Sequence, residues 1–166
     1  GMGGGIYSGT IVNCTLTNNQ ALMGGGAFGS VLTDCTLVGN RAVWDPLLTE
    51  FSLQTTYGGG GPECTMTNCI LSGNKSDSFG GGASVSTLVG CTIEGNSATS
   101  GGGTHGPTVI DSSYARNWAR SQGGAAYVGT LSNCTATANS SLNGGAIHLA
   151  TIKNCRLYDN ISLGNG

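Results

Sequence analysis

The sequence predicts an all-β chain wound as a single-stranded parallel β-helix (β-solenoid) of about seven coils. Three observations predict it. Glycine runs recur along the 166 residues, beginning at Gly3, Gly24, Gly58, Gly80, Gly101, Gly123 and Gly144. Their steps are 21, 34, 22, 21, 22 and 21 residues, and a period of this size marks a repeat architecture. Between the runs, segments such as Thr10-Ile11-Val12 alternate polar with apolar residues, the period of a strand, and no helical apolar stripe competes.

Each element of the coil follows from its register, counted from the first glycine. The glycines serve a bend, because they tolerate positive φ and let coils stack closely. Seven residues on stand Thr10, Val31, Thr65, Thr87, Thr108, Thr130 and Thr151, an outward column. Eight on, Ile11, Leu32, Met66, Leu88, Val109, Leu131 and Ile152 face inward. Eleven on come Cys14, Cys35, Cys69, Cys91, Ser112, Cys134 and Cys155, read as small apolar fillers. Thirteen on, Leu16, Leu37, Leu71, Ile93, Tyr114, Ala136 and Leu157 complete the interior. Sixteen on, Asn19, Asn40, Asn74, Asn96, Asn117, Asn139 and Asn160 recur without exception. Their amides are expected to turn inward at a bend, bonding their own backbone and the asparagines of neighbouring coils. Such ladders arise where each position meets its equivalent one layer away. Two or three short strands per coil are expected, and seven coils at about 4.8 Å make a rod of about 34 Å.

Composition narrows the function. Charged residues are 8% of the chain and the formal net charge is -2, so no basic field draws nucleic acid or an anionic membrane. No apolar run approaches the roughly 20 residues of a membrane-spanning helix, and no basic segment followed by an apolar one opens the chain. The expectation is one domain over residues 1–166, with no membrane insertion by this segment.

The run Gly144-Gly145-Ala146-Ile147 and the apolar-x-x-Asn pattern of Leu16 to Asn19 resemble the paired GGAI and FxxN motifs of polymorphic outer-membrane protein repeats. Asn13-Cys14-Thr15-Leu16-Thr17-Asn18-Asn19 followed by Gly24-Gly25-Gly26 is similar to runs in large secreted bacterial right-handed parallel β-helix proteins. The resemblance covers essentially the whole chain. It departs from the family in carrying Leu, Ile or Tyr where Phe is preferred. The resemblance implies a right-handed coil, in keeping with the general crossover preference. It also implies a bacterial surface-displayed or secreted stalk or adhesin, extracellular or at the cell surface.

Candidate binding groups lie where the repeat is irregular. The step from Gly24 to Gly58 exceeds one coil by 13 residues, an insertion at about 43–57 that holds Trp44, Asp45, Glu50, Phe51 and Tyr57. Aromatic rings beside carboxylates suit sugars; a flap packed on the solenoid is the plainer expectation. The coil from Gly101 gathers His105, Asp111, Arg116, Trp118 and Arg120 and carries Ser112 and Tyr114 in the ladders. Asp111 and Arg116 are expected to form a surface pair. No catalytic constellation emerges: Asp34 and Asp111 stand three coils apart, about 14 Å, beyond glycosidase carboxylate separations.

Neither a metal site nor a cofactor is expected, since His105 and His148 stand two coils, about 10 Å, apart. Free buried thiols are expected, although Cys64 lies five residues before Cys69, close enough for a bridge if the bend allows. Seven cysteines leave at least one unpaired within the chain. The asparagines of the Asn-x-Ser/Thr triplets at Asn74, Asn139 and Asn160 belong to the inward ladder and read as structural. The chain ends on the approach to an eighth coil without a polar cap, which suggests a longer array or end-to-end stacking into fibres. The functional expectation is a non-catalytic structural or adhesin-like module, with self-association or a glycan or host-surface ligand as partners. A carbohydrate-binding or pectate-lyase-like β-helix is the alternative, and an ice-binding solenoid with threonine ladders is the third.

Overall fold

The computed structural model describes residues 1–44 and 55–164. It is an all-β solenoid of seven turns, and no helix forms among the described residues. Each full coil carries four short strands, more than the two or three expected. In the coil from Gly80 they are Ala83–Ser84, Thr87–Val89, Thr92–Glu94 and Ser97–Ser100. These define four sides, numbered here in that order.

The four sides come from a left-handed residue at every fifth position. Registers 0, 5, 10 and 15 hold φ between 49° and 66° in all seven coils, so the chain turns a corner at each. This explains why register 10 holds only Asn13, Asp34, Asn68, Gly90, Asp111, Asn133 and Asn154, residue types that tolerate αL backbone. Arg116 occupies the same kind of corner at register 15, with φ 53°.

Strands pair in parallel, one coil to the next. Sides two, three and four are seven-stranded sheets, and side one divides into a two-stranded and a five-stranded sheet. A parallel pair ordinarily needs a separate crossover element; here the other three sides are the crossover. Met66 lies opposite Leu32 and Leu88, and Leu71 opposite Leu37 and Ile93. On side four Ala98 pairs with Ala119 but Ser100 with Gln122, a bulge that absorbs the extra residue of the 22-residue coil at Arg120 and Ser121.

The interior is narrow and filled by the two apolar ladders. Leu32, Leu37, Leu71, Leu88, Ile93 and Leu131 are wholly buried, each contributing about 1.5–3 kcal/mol. Tyr114 replaces a leucine without overpacking. Its neighbour one coil on is Ala136, and a Cβ at Gly103 would lie 2.9 Å from its ring. Its hydroxyl bonds Thr104 Oγ1 at 2.8 Å, and burial raises its pKa well above the ordinary phenol value.

The asparagines bond between coils rather than within them. Asn96 Nδ2 donates to Leu71 O at 2.8 Å and to Asn117 Oδ1 at 3.0 Å, while its Oδ1 accepts from Asn74 N at 2.9 Å and Asn74 Nδ2 at 3.1 Å. Bonds to the backbone of the asparagine's own coil occur at Asn139 and Asn160, near the last coil. The cysteine ladder does more than fill space. Cys35, Cys69, Cys91 and Cys134 each donate Sγ–H to the carbonyl two residues earlier, closing the register-10 corner, and Ser112 does the same through Oγ. Cys64 plays this part at the register-5 corner, where other coils have Ser30 or Ser86. All seven thiols are free, so Cys64 and Cys69 are not bridged.

Candidate functional site

With the interior given over to ladders, the side chains available for chemistry lie on the outer columns. Side one carries Tyr7, Phe28, Pro62, Ser84, His105, Tyr127 and His148 in register. Where Pro62 and Ser84 leave room, Tyr57 and Phe79 reach in from the position preceding their glycine runs. The result is a column of rings: Tyr57–Phe79 at 5.6 Å, Phe79–His105 at 4.6 Å, His105–Tyr127 at 5.5 Å and Tyr127–His148 at 5.7 Å between centroids. Ser84 Oγ lies 3.1 Å from His105 Nδ1, and burial holds the His105 pKa below its ordinary value. These rings pack on one another, which occupies the faces a sugar would use. Tyr127 separates the two histidines. Among the described residues no group of three or more His, Cys, Asp or Glu side chains is placed to hold a metal.

Side two presents the threonine column outward, with Thr10, Thr65, Thr87, Thr108, Thr130 and Thr151 all exposed. Its companion column is Val12, Thr33, Thr67, Val89, Ile110, Ser132 and Lys153. The companion column carries hydroxyls only at Thr33, Thr67 and Ser132, so the two columns together form no continuous hydroxyl lattice.

Side three and its corners separate the groups expected to pair. Arg116 Nη2 bonds Glu94 Oε2 at 2.9 Å, one coil back, whereas Asp111 Oδ1 accepts from Asn133 Nδ2 at 3.0 Å, one coil on. The Asp111–Arg116 pair does not form, because corners at registers 10 and 15 stand at opposite ends of side three and their side chains meet residues of adjacent coils. The Arg116–Glu94 pair is solvent-exposed and adds little stability.

Side four holds a shallow groove lined by Lys75, Asp77, Ser97, Thr99, Trp118 and Arg120. Lys75 pairs in register with Arg41 on one side and with Ser97 on the other, and Ser97 pairs with Trp118. Trp44, also exposed, donates its backbone N–H to Asp77 Oδ2 at 3.2 Å, so the insertion departs beside this groove. Asp45, Glu50 and Phe51 lie outside the described residues.

Of the sequence candidates, Tyr57 and His105 are brought together on side one at 6.1 Å, and Trp44 and Trp118 both belong to side four. Asp111 and Arg116 stand apart from both. Phe79, Tyr127, Arg41, Lys75 and Asp77 were not singled out by sequence reasoning. Register 17 carries the signal of Arg41 and Lys75, since it reads Gln20, Arg41, Lys75, Ser97, Trp118, Ser140 and Ile161. Compared with protein-family models, curated proteins and solved structures, the chain matches none.

Proposed function

We propose that the chain is a non-catalytic structural module of a secreted or cell-surface protein, a stiff rod whose end coils stack on further copies of the same coil pattern. The observation that carries this reading is the polarity of the asparagine ladder. Each asparagine donates N–H and Nδ2–H to the Oδ1 of the next, from Asn19 to Asn40 through to Asn139 to Asn160. The bonds all run one way and repeat from coil to coil, so a further coil of the same pattern adds on either face with the same pair of bonds.

Such a contact is head-to-tail, joins unlike surfaces, and does not close, so it builds rods. The surface location rests on the resemblance to secreted β-helix repeats. Light scattering followed by negative-stain microscopy tests the stacking. Rods of constant width that lengthen with concentration are expected, and Leu157→Lys is expected to shorten them by placing a charge on the edge. A 16.5 kDa monomer at every concentration overturns it.

A further inference from the structure

We infer that side four is a binding face for an acidic polysaccharide, independent of the stacking ends. The whole chain has six Lys and Arg residues. Three of them, Arg41, Lys75 and Arg120, fall on this one face. Arg41 and Lys75 are direct neighbours in adjacent coils, and Arg120 lines the same groove as Lys75. Among the described residues Asp77 is the acid in the groove, and its Oδ2 is engaged by the Trp44 backbone. The described side chains of this face are thus net cationic on a protein of formal net charge -2.

The apolar component favours a sugar ring over other anions. Trp118 is 46% exposed in the same column as Lys75, two coils away, so the two backbone positions stand about 10 Å apart. Unlike the rings of side one, Trp118 is not stacked against another ring among the described residues. A half-exposed indole can meet the C–H face of a pyranose. Ser97 and Thr99 supply hydroxyls between Lys75 and Trp118. Arg120 sits in the bulge, a device that re-aims a side chain, and its guanidinium matches a carboxylate in two-point geometry. Cations one coil, about 4.8 Å, apart at Arg41 and Lys75, with a flat apolar ring and a third cation two coils further on, match a polymer of rings that carries one carboxylate per sugar. A densely charged polymer such as nucleic acid would find too few cations here and a negative molecule around them.

The probe is polygalacturonate, with three comparisons: its fully methyl-esterified form, polyglutamate, and single-stranded DNA. Calorimetry or affinity electrophoresis at low salt is expected to show binding to polygalacturonate. Affinity should fall at least about tenfold on Trp118→Ala and on Arg120→Ala, and should weaken with added salt. The esterified polymer loses the charge and polyglutamate loses the rings, so both should bind more weakly by a similar factor. Circular dichroism verifies that the variants fold, which their exposed positions favour. No binding, equal binding to polyglutamate or DNA, or unchanged affinity in folded Trp118→Ala and Arg120→Ala overturns the inference. None of these outcomes bears on rod formation, which involves the end coils alone.

Discussion

Replacing Asn96 by alanine probes the ladder where it is most deeply buried. Asn96 is wholly inaccessible and its side chain makes four hydrogen bonds, to Leu71 O, Asn117 Oδ1, Asn74 N and Asn74 Nδ2. The alanine variant leaves the buried Asn74 N–H without an acceptor, at about 1–3 kcal/mol, and forfeits three further bonds at about 0.5–1.5 kcal/mol each. A loss of at least about 3 kcal/mol follows, or a melting temperature lower by about 6–12 °C in a chain of this size. Asn19→Ala is the internal control. Among the described residues its Oδ1 accepts nothing and its Nδ2 makes one bond, to Asn40 Oδ1. It should cost only about 0.5–1.5 kcal/mol. Thermal and urea unfolding followed by circular dichroism measure both. Repeat arrays can unfold in parts, so hydrogen exchange at the Asn74 amide gives a local readout, and its protection should collapse in Asn96→Ala. Equal destabilisation by the two variants would refute the argument that the amide network, rather than the shape of the corner, holds the stack. Asn96→Asp extends the test to pH. A carboxyl in this position has its pKa raised by desolvation, so the folded state holds the proton more tightly than the unfolded one. The variant is then most stable below the ordinary carboxyl pKa and loses stability as pH rises through the raised one.

Three further predictions concern the interior. Under native conditions a thiol reagent should label Cys14 first and Cys155 more slowly, and reach Cys35, Cys64, Cys69, Cys91 and Cys134 only on unfolding; mass spectrometry of the labelled peptides identifies the order. Burial pushes the Cys64 thiol from its ordinary value near 9 up to about 11, so its contribution to stability is complete below pH 9 and lost as pH rises through about 11. The unfolding midpoint should therefore fall across that window, and Cys64→Ser should flatten the fall. Tyr114→Phe removes the partner of the buried Thr104 hydroxyl and should cost about 1–3 kcal/mol, measured by denaturant unfolding; a neutral result would mean the hydroxyl finds another acceptor.

The fold was legible because stacking converts three-dimensional neighbours into a fixed sequence period. Leu71 meets Leu37 and Ile93 in the structure because they share register 13 in the chain. The number of sides was not legible in the same way. Four corners require left-handed backbone at registers 0, 5, 10 and 15, and only registers 0 and 10 announce it with a consistent choice of Gly, Asn or Asp. At register 15 Arg116 and Ala138, and at register 5 Val85, Val128 and Leu149, adopt positive φ because the stacked neighbours impose it. Local propensity yields there to the lattice of hydrogen bonds above and below.

The same logic explains why residues grouped along the chain are separated in the structure. His105, Asp111, Arg116, Trp118 and Arg120 crowd one coil in sequence, yet five residues carry the chain past a corner, so neighbours on the chain face different directions. Contacts run up the columns instead. Arg116 meets Glu94, Asp111 meets Asn133, and His105 meets Tyr127 and Phe79, each partner belonging to an adjacent coil. A binding face on this scaffold is therefore assembled from single residues contributed by successive coils. Arg41, Lys75 and Trp118 satisfy that condition, and any variation that retunes the face acts on one register of one coil without disturbing the ladders beneath it.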